Sequence, residues 1–310
     1  AESVFFCNSG AEANESAIKL IRKYGNTRNK GKEIIILSSK SSFHGRTFAA
    51  LSATGQPKYH KGFEPMISGF EFFKYNDIHS VELLFENCKK ANKHIAGIII
   101  EPIQGEGGVI PGDIDFFKNL REICTKNDTL LILDEVQSGV GRTGKMWGYQ
   151  NLDIEPDGFT LAKGLGGGHA IGALLVTKKA NIFTPGEHAS TFGGNPFACK
   201  AALTVLEEIE RRNLLSNVLS RGDQLKNGLN EINNLYPNII DGIRGIGLIQ
   251  GLVLKNNNFD SSKITLKAFE KGLLVVPAGK NVLRIVPPLI ISRNEIQQII
   301  KKLTLIFEEL

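Results

Sequence analysis

Apolar runs and amphipathic stretches alternate along the chain in the way that marks a parallel α/β sheet. Strand-like runs fall near residues 3–7, 33–37, 70–74, 95–101, 129–134, 157–160 and 171–176. Helical periodicity fills several of the gaps, near 11–24, 78–90 and 114–127. Seven strands are therefore expected in one mostly parallel sheet, with helices on both faces. From Pro196 a helical pattern runs to about Arg211, and a second helix follows near 214–234. Strands near 246–254, 273–276 and 282–286, with helices near 261–271 and 292–309, complete a smaller α+β unit. The boundary falls near 200–213, which divides the chain into a large domain, 1–205, and a small C-terminal domain, 206–310. No Pro-, Gly- or Ser-rich linker, internal repeat or low-complexity segment marks it.

Composition narrows the function classes. The chain has 310 residues, 42% hydrophobic and 22% charged, enough for a buried site. Its formal charge of +5 comes from 37 basic and 32 acidic residues that are intermixed, which argues against a nucleic-acid or membrane surface. Cys7, Cys88, Cys124 and Cys199 are widely spaced, show no CxxC and sit in apolar stretches, so neither disulfides nor a metal site are expected. The apolar runs are too short to span a bilayer, and a cytoplasmic protein is expected. The sequence opens on Ala1-Glu2-Ser3 without Met, directly before a strand, and a further N-terminal segment is expected to precede it.

In a parallel sheet the ligand sits beyond the carboxyl ends of the strands, so the residues after each strand carry the chemistry. After the first strand stands Ser9-Gly10-Ala11-Glu12, leading into a helix whose free N–H groups can hold a phosphate. The same residues also read as an ordinary capping box. After the second comes Ser41-Ser42-Phe43-His44-Gly45-Arg46-Thr47. Phe43 can stack on a heteroaromatic ring or pack in the core; Arg46 can grip a carboxylate or remain a solvated charge. His44 reads as structural. The fourth strand ends in Glu101-Pro102 and then Glu106, and the fifth in Asp134-Glu135-Val136-Gln137. A carboxylate after so apolar a strand as 129–133 needs a cation or a protonated ring nitrogen beside it. After the sixth, Lys163 lies between Thr160-Leu161-Ala162 and the glycines 164 and 166–168. Such a lysine is either a surface side chain or, buried in a cleft, a nucleophilic amine for a carbonyl carbon. Gly139-Val140-Gly141-Arg142-Thr143-Gly144 matches GxGxxG literally, but it follows the fifth strand, and the acidic residue lies before it, so a dinucleotide site is not expected.

Together these segments resemble the class III aminotransferases, of the fold-type I pyridoxal-phosphate (PLP) family. The resemblance runs through SGAEANE at 9–15, FHGRT at 43–47, EPIQGEGG at 101–108, LDEVQSGVGRTGK at 133–145, AKGLGGG at 162–168, STFGGNP at 190–196, RGIGL at 244–248 and LRIVPPL at 283–289. It implies that Lys163 holds PLP covalently and, once displaced by substrate, moves the proton. It implies that Asp134 pairs with the protonated pyridine nitrogen, Gln137 meets the phenolic oxygen and Phe43 stacks on the ring, with Glu135 and Val136 beside them. Ser9, Gly10 and Ala11 would take the phosphate, joined by Thr191 from the partner subunit of a homodimer with shared active sites. Ser190 would approach the substrate. Arg46 would hold the far carboxylate of the amino donor. Arg284 would bind the α-carboxylate of glutamate or 2-oxoglutarate, and Glu106 would neutralise it when the other substrate is bound.

The implied reaction is transfer of the δ-amino group of N2-acetylornithine to 2-oxoglutarate, in arginine synthesis. Ornithine, succinylornithine, succinyl-diaminopimelate and 4-aminobutyrate are alternative donors. A truncated, PLP-binding but inactive subunit is an alternative of another class, as is an aminomutase or decarboxylase; paired arginines with Glu106 favour two-substrate transamination.

Overall fold

A computed structural model describes residues 1–255 and 259–310. In chain order its first elements are β1 (Ser3–Cys7), α1 (Gly10–Arg28), β2 (Glu33–Ser39), α2 (Phe48–Ala53), β3 (Phe70–Phe73), α3 (Ile78–Lys90) and β4 (Lys93–Ile100). There follow β5 (Ile103–Gln104), β6 (Ile110–Pro111), α4 (Ile114–Lys126), β7 (Leu130–Asp134), β8 (Gly158–Leu161), β9 (Gly172–Val176) and α5 (Pro196–Arg211). The last are α6 (Leu214–Leu235), β10 (Ile240–Ile246), β11 (Ile249–Leu254), α7 (Ser261–Glu270), β12 (Val276–Ala278), β13 (Val282–Ile285) and α8 (Arg293–Glu308). Two compact units result. The first holds Ala1–Pro102, Gly112–Val140 and Gly148–Leu206; the second holds Ile103–Pro111, Gly141–Trp147 and Glu207–Leu310.

The first unit is built on a seven-stranded sheet in the order β1-β9-β8-β7-β4-β2-β3. Its neighbours pair in parallel except at β9, which runs antiparallel to both β8 and β1. The expected seven-stranded, mostly parallel sheet is present. Alternation sorts the strand residues between two buried faces. Ile36, Ile99, Leu130 and Ile132 pack with Ala17, Ile18, Ile21 and Tyr24 of α1. The intervening Leu37, Ile98, Ile100, Leu131 and Leu133 are fully buried too, on the side where α3 meets β4 and α4 meets β7. Helix α4 shows why: Phe116, Phe117, Leu120 and Cys124 form its buried stripe, and charged residues occupy the rest.

The second unit carries the antiparallel sheet β10-β11-β13-β12. Leu225, Leu229 and Ile232 of α6 and Ile296, Leu303 and Phe307 of α8 pack with Leu252 and Leu283 of that sheet. Ser292 and Glu295 form a capping box that starts α8. The single strand expected near 246–254 is instead a hairpin, β10 and β11, turned at Gly247-Leu248. The strand expected near 273–276 lies at Val276–Ala278. This unit also takes in 103–111 and 141–147, because Ile103 and Val109 pack with Ile249, Ala278 and Val282. Among the described residues no helix is long and apolar enough to cross a membrane, and no group of acidic, histidine or cysteine residues is arranged to hold a metal.

Candidate active site

At the carboxyl ends of β1, β2, β7 and β8 the first unit brings several of the singled-out segments together. Asp134 ends β7 and is 5% exposed. Its Oδ2 accepts from Asn14 Nδ2 at 2.8 Å and faces His44 Nδ1, also at 2.8 Å. Its Oδ1 accepts from the N–H of Val136 at 3.0 Å. Behind them Thr160 Oγ1 donates to Asn14 Oδ1 at 2.8 Å, and Ser38 Oγ stands 3.2 Å from His44 Nε2. A buried carboxylate held by three donors keeps one orientation, and its hydrogen bonds offset the desolvation of the charge. His44, expected to be structural, is thus a direct partner of Asp134. Asn14, within the SGAEANE segment, is a second such partner. The signal for it is a polar side chain on the apolar stripe formed by Ala13, Ala17, Ile18 and Ile21.

Ser9 caps α1, its Oγ accepting from the N–H of Glu12 at 3.2 Å, so the capping reading holds for that side chain. The reciprocal Glu12 carboxylate goes to the N–H of Asn8 at 2.6 Å. The first i to i−4 bond at this end runs from Ala13 to Ser9, one turn beyond the amides of Gly10 and Ala11. A Cβ at Gly10 would lie 2.7 Å from Val136 Cγ1 and 3.5 Å from Ala162 Cβ. Only glycine permits this approach, which draws the ends of β1, β7 and β8 against one another.

Lys163 follows β8 and opens a 3-10 turn, Lys163–Gly166, with φ at 44°. A non-glycine residue in the left-handed region stores about 1–3 kcal/mol and is concentrated at functional sites. Lys163 is exposed in the first unit, as are Gly164, Gly167 and Gly168 beside it.

Phe43 is half-buried. Its N–H donates to Glu101 Oε2 at 3.2 Å, and its ring meets Tyr59 edge-on at 5.7 Å. The Arg46 guanidinium lies 4.2 Å from the Tyr59 ring centre and 5.3 Å from that of Phe43, where cation–π attraction holds it. Tyr59 had no sequence signal of its own. Val136 and Gln137 are half-buried beyond the end of β7.

Glu135 stands apart from this arrangement, whereas Ser190 and Thr191 lie at its edge beside Asn8. Glu135 points away, into a buried site where it accepts from the N–H groups of Gly148 at 2.5 Å and Tyr149 at 2.6 Å. Burial pushes its carboxyl up to about 7, against the pull of those bonds. Ser190 accepts from Asn8 Nδ2 at 3.2 Å and from the N–H of Gly193 at 3.1 Å. Thr191 is exposed.

In the second unit Arg284 lies on β13, 7% exposed, and its Nη1 donates to Glu106 Oε1 at 2.7 Å. Arg142, within the glycine-rich 139–144 segment, donates from Nη1 to the carbonyls of Leu248 at 3.0 Å and Pro287 at 2.5 Å. Burial lowers its guanidinium to about 10. A Cβ at Gly144 would strike Leu219 at 2.4 Å, so a glycine of this segment serves close packing inside the unit.

The sequence matches the family model described as Aminotransferase class-III over residues 1–307. A relative called acetylornithine aminotransferase, from Prochlorococcus marinus subsp. pastoris, is 75% identical over 310 residues, covering all of this chain and 75% of that protein. The crystal structure of N-acetylornithine aminotransferase from Stenotrophomonas maltophilia superposes with a TM-score of 0.83 at 35% identity, covering 100% of this chain and 75% of that one. The ornithine aminotransferase of Toxoplasma gondii reaches a TM-score of 0.92 at 31% identity, covering 99% of this chain and 73% of that one. Such enzymes depend on pyridoxal phosphate, and the residues fit that group. A buried, oriented carboxylate at Asp134 suits a protonated ring nitrogen, the cradle that only Gly10 permits suits a phosphate at a helix start, and Lys163 supplies an amine. This chain belongs to the class III aminotransferase family of pyridoxal-phosphate enzymes.

Proposed function

We propose that this chain transfers the δ-amino group of N2-acetyl-L-ornithine to 2-oxoglutarate, giving N-acetyl-L-glutamate 5-semialdehyde and glutamate, as a cytoplasmic homodimer serving arginine synthesis. Pyridoxal phosphate supplies the electron sink of the reaction. Asp134 keeps a proton on the ring nitrogen, and His44 and Asn14 hold that carboxylate in place. The Lys163 amine carries the cofactor between turnovers and, when displaced, takes the proton from the substrate carbon bearing the amine. Gly10 and Ala11 hold the phosphate, with Ser9 beside them and Thr191 of the partner subunit reaching across. Phe43 and Val136 confine the ring, and Gln137 bonds its phenolic oxygen. Arg46 grips the carboxylate of the donor, and Ser190 approaches the same substrate.

The observation that carries the two-substrate reading is the Arg284–Glu106 pair. A buried arginine neutralised by one glutamate on a glycine-rich loop can release that glutamate to a substrate carboxylate and recover it afterwards. The enzyme then accepts a dicarboxylate at one half of the cycle and an acylated ornithine at the other. The Prochlorococcus relative, at 75% identity, favours acetylornithine as that donor.

The test is the absorbance of purified full-length protein with pyridoxal phosphate, before and after N2-acetylornithine, in wild type and Lys163→Ala. Wild type should lose its cofactor band with donor and regain it with 2-oxoglutarate, and the variant should show no such band. A wild-type band that the donor leaves unchanged removes the substrate assignment; absence of any band removes Lys163.

A further inference from the structure

The Glu106 loop lies on a sheet face that carries two arginines. Arg244 of β10 stands directly opposite Gly251 of β11, and Gly251 stands directly opposite Arg284 of β13. Residues directly opposite in an antiparallel sheet send their side chains to the same face, so both guanidinium groups leave that face with a glycine between them. Over the gap sits the 105–109 loop. A Cβ at Gly251 would lie 2.9 Å from Val109 Cβ, and one at Gly108 would lie 3.4 Å from Arg244 Nη2.

Both arginines bury an Nε that has no hydrogen-bond partner among the described residues, and they differ at the far end of the guanidinium. Arg284 has the carboxylate of Glu106. Burial lowers the Arg244 guanidinium from its ordinary value while Asp241 opposes the shift. A buried donor left unpaired costs about 1–3 kcal/mol, more where the group is charged, so this site favours an incoming carboxylate.

The loop between them is fixed at its backbone. The Glu106 carbonyl accepts from the N–H of Gly279 at 2.8 Å, and Val109, fully buried, holds a φ of 54° that a β-branched residue rarely adopts. With both ends pinned, the Glu106 side chain is what remains to move.

We propose that Arg244 is the second seat of Glu106: when a substrate carboxylate takes Arg284, the Glu106 carboxylate passes to Arg244, which keeps it paired. Arg244 is then a positioning residue for acceptor selection. This rests on the reading of Arg284 as the 2-oxoglutarate grip. Without Arg244, Glu106 loses that second seat, stays on Arg284 and competes with the acceptor. The donor half-reaction, in which Glu106 remains on Arg284, does not use the second seat.

The experiment is single-turnover kinetics of both half-reactions, followed by cofactor absorbance in the full-length holoenzyme, for wild type, Arg244→Gln, Glu106→Gln and the double variant. Arg244→Gln should raise the 2-oxoglutarate concentration for half-maximal rate by about 10-fold or more, within the usual range of coupling between sites. It should leave the limiting rate and the acetylornithine half-reaction within about 2-fold, and lose its effect in the Glu106→Gln background, where nothing competes for Arg284. Equal slowing of both half-reactions, or an undiminished effect in the double variant, overturns the second seat while leaving Arg284 as the grip. If Glu106→Gln alone changes neither half-reaction, the gated grip itself fails. Should Arg244→Gln not fold, Arg244→Lys, which keeps the charge and loses the planar fork, is read by the same split, and an intermediate rise confined to the acceptor is expected.

Discussion

At the scale of single residues, two neighbouring carboxylates have opposite surroundings. Asp134 is met by His44, Asn14 and the Val136 N–H; Glu135 is buried so deeply that its carboxyl rises from 4.5 to about 7. Because the folded value lies above the unfolded one, the fold prefers protonated Glu135. That preference stabilises the protein at low pH and is lost as pH rises through about 7, a swing of about 3 kcal/mol. Melting temperature should therefore fall between pH 5 and pH 8, and Glu135→Gln should flatten the dependence; an unchanged slope in that variant would place its source elsewhere. His44→Ala removes one of the donors to a buried carboxylate and should cost about 1–3 kcal/mol in denaturant unfolding while weakening pyridoxal-phosphate retention. The need of Asp134 for a partner was legible from its place after an apolar strand. The identity of Asn14 was not, since that bond joins positions 120 residues apart, and sequence pattern reports neighbours, not long-range pairs.

Elements were legible where burial is complete. The strands of the large sheet announce themselves because runs such as Leu130–Leu133 are buried on both faces, leaving no polar residue to blur them. Strand β10 escaped because Asp241, Gly242, Arg244 and Gly245 interrupt it, and after Ile240 none of its residues is fully buried. It is a strand by virtue of its pairing to β11, a tertiary fact. The β5–β6 pair, two residues in each strand, is too short for any period to register. On β11 itself, Gly251 leaves space that Val109 and Val282 occupy. Gly251→Val should overpack that contact by about 1–3 kcal/mol and lift the 105–109 loop. The loss in kcat/KM for 2-oxoglutarate should exceed the loss for acetylornithine, since Glu106 rides on that loop; equal losses would show the loop to be indifferent to the acceptor.

At the scale of the whole molecule, the division of the chain does not follow sequence order. The expected boundary at 205/206 takes no account of 103–111 and 141–147, which belong to the second unit through long-range packing. The first unit also leaves aromatic surface uncovered. Phe192 and Phe197 are 71% and 72% exposed on either side of the Gly193-Gly194 turn, and Phe6 of the edge strand β1, 39% exposed, lies beside Gly194. Exposed aromatic groups gathered around a turn favour a protein partner over water, and Thr191 adjoins them. If the partner is a second copy whose Thr191 completes the phosphate site, association and cofactor retention are one property. Phe192→Asp with Phe197→Asp should then give a monomer in sedimentation whose affinity for pyridoxal phosphate is weaker by about 10-fold or more, the lost contact to a charged group being worth about 1.5–3 kcal/mol. Lys163, Asp134 and Gly10 are untouched by those changes, so a monomer that binds the cofactor as tightly as wild type would confine Thr191 to assembly and leave the phosphate to Gly10 and Ala11 alone.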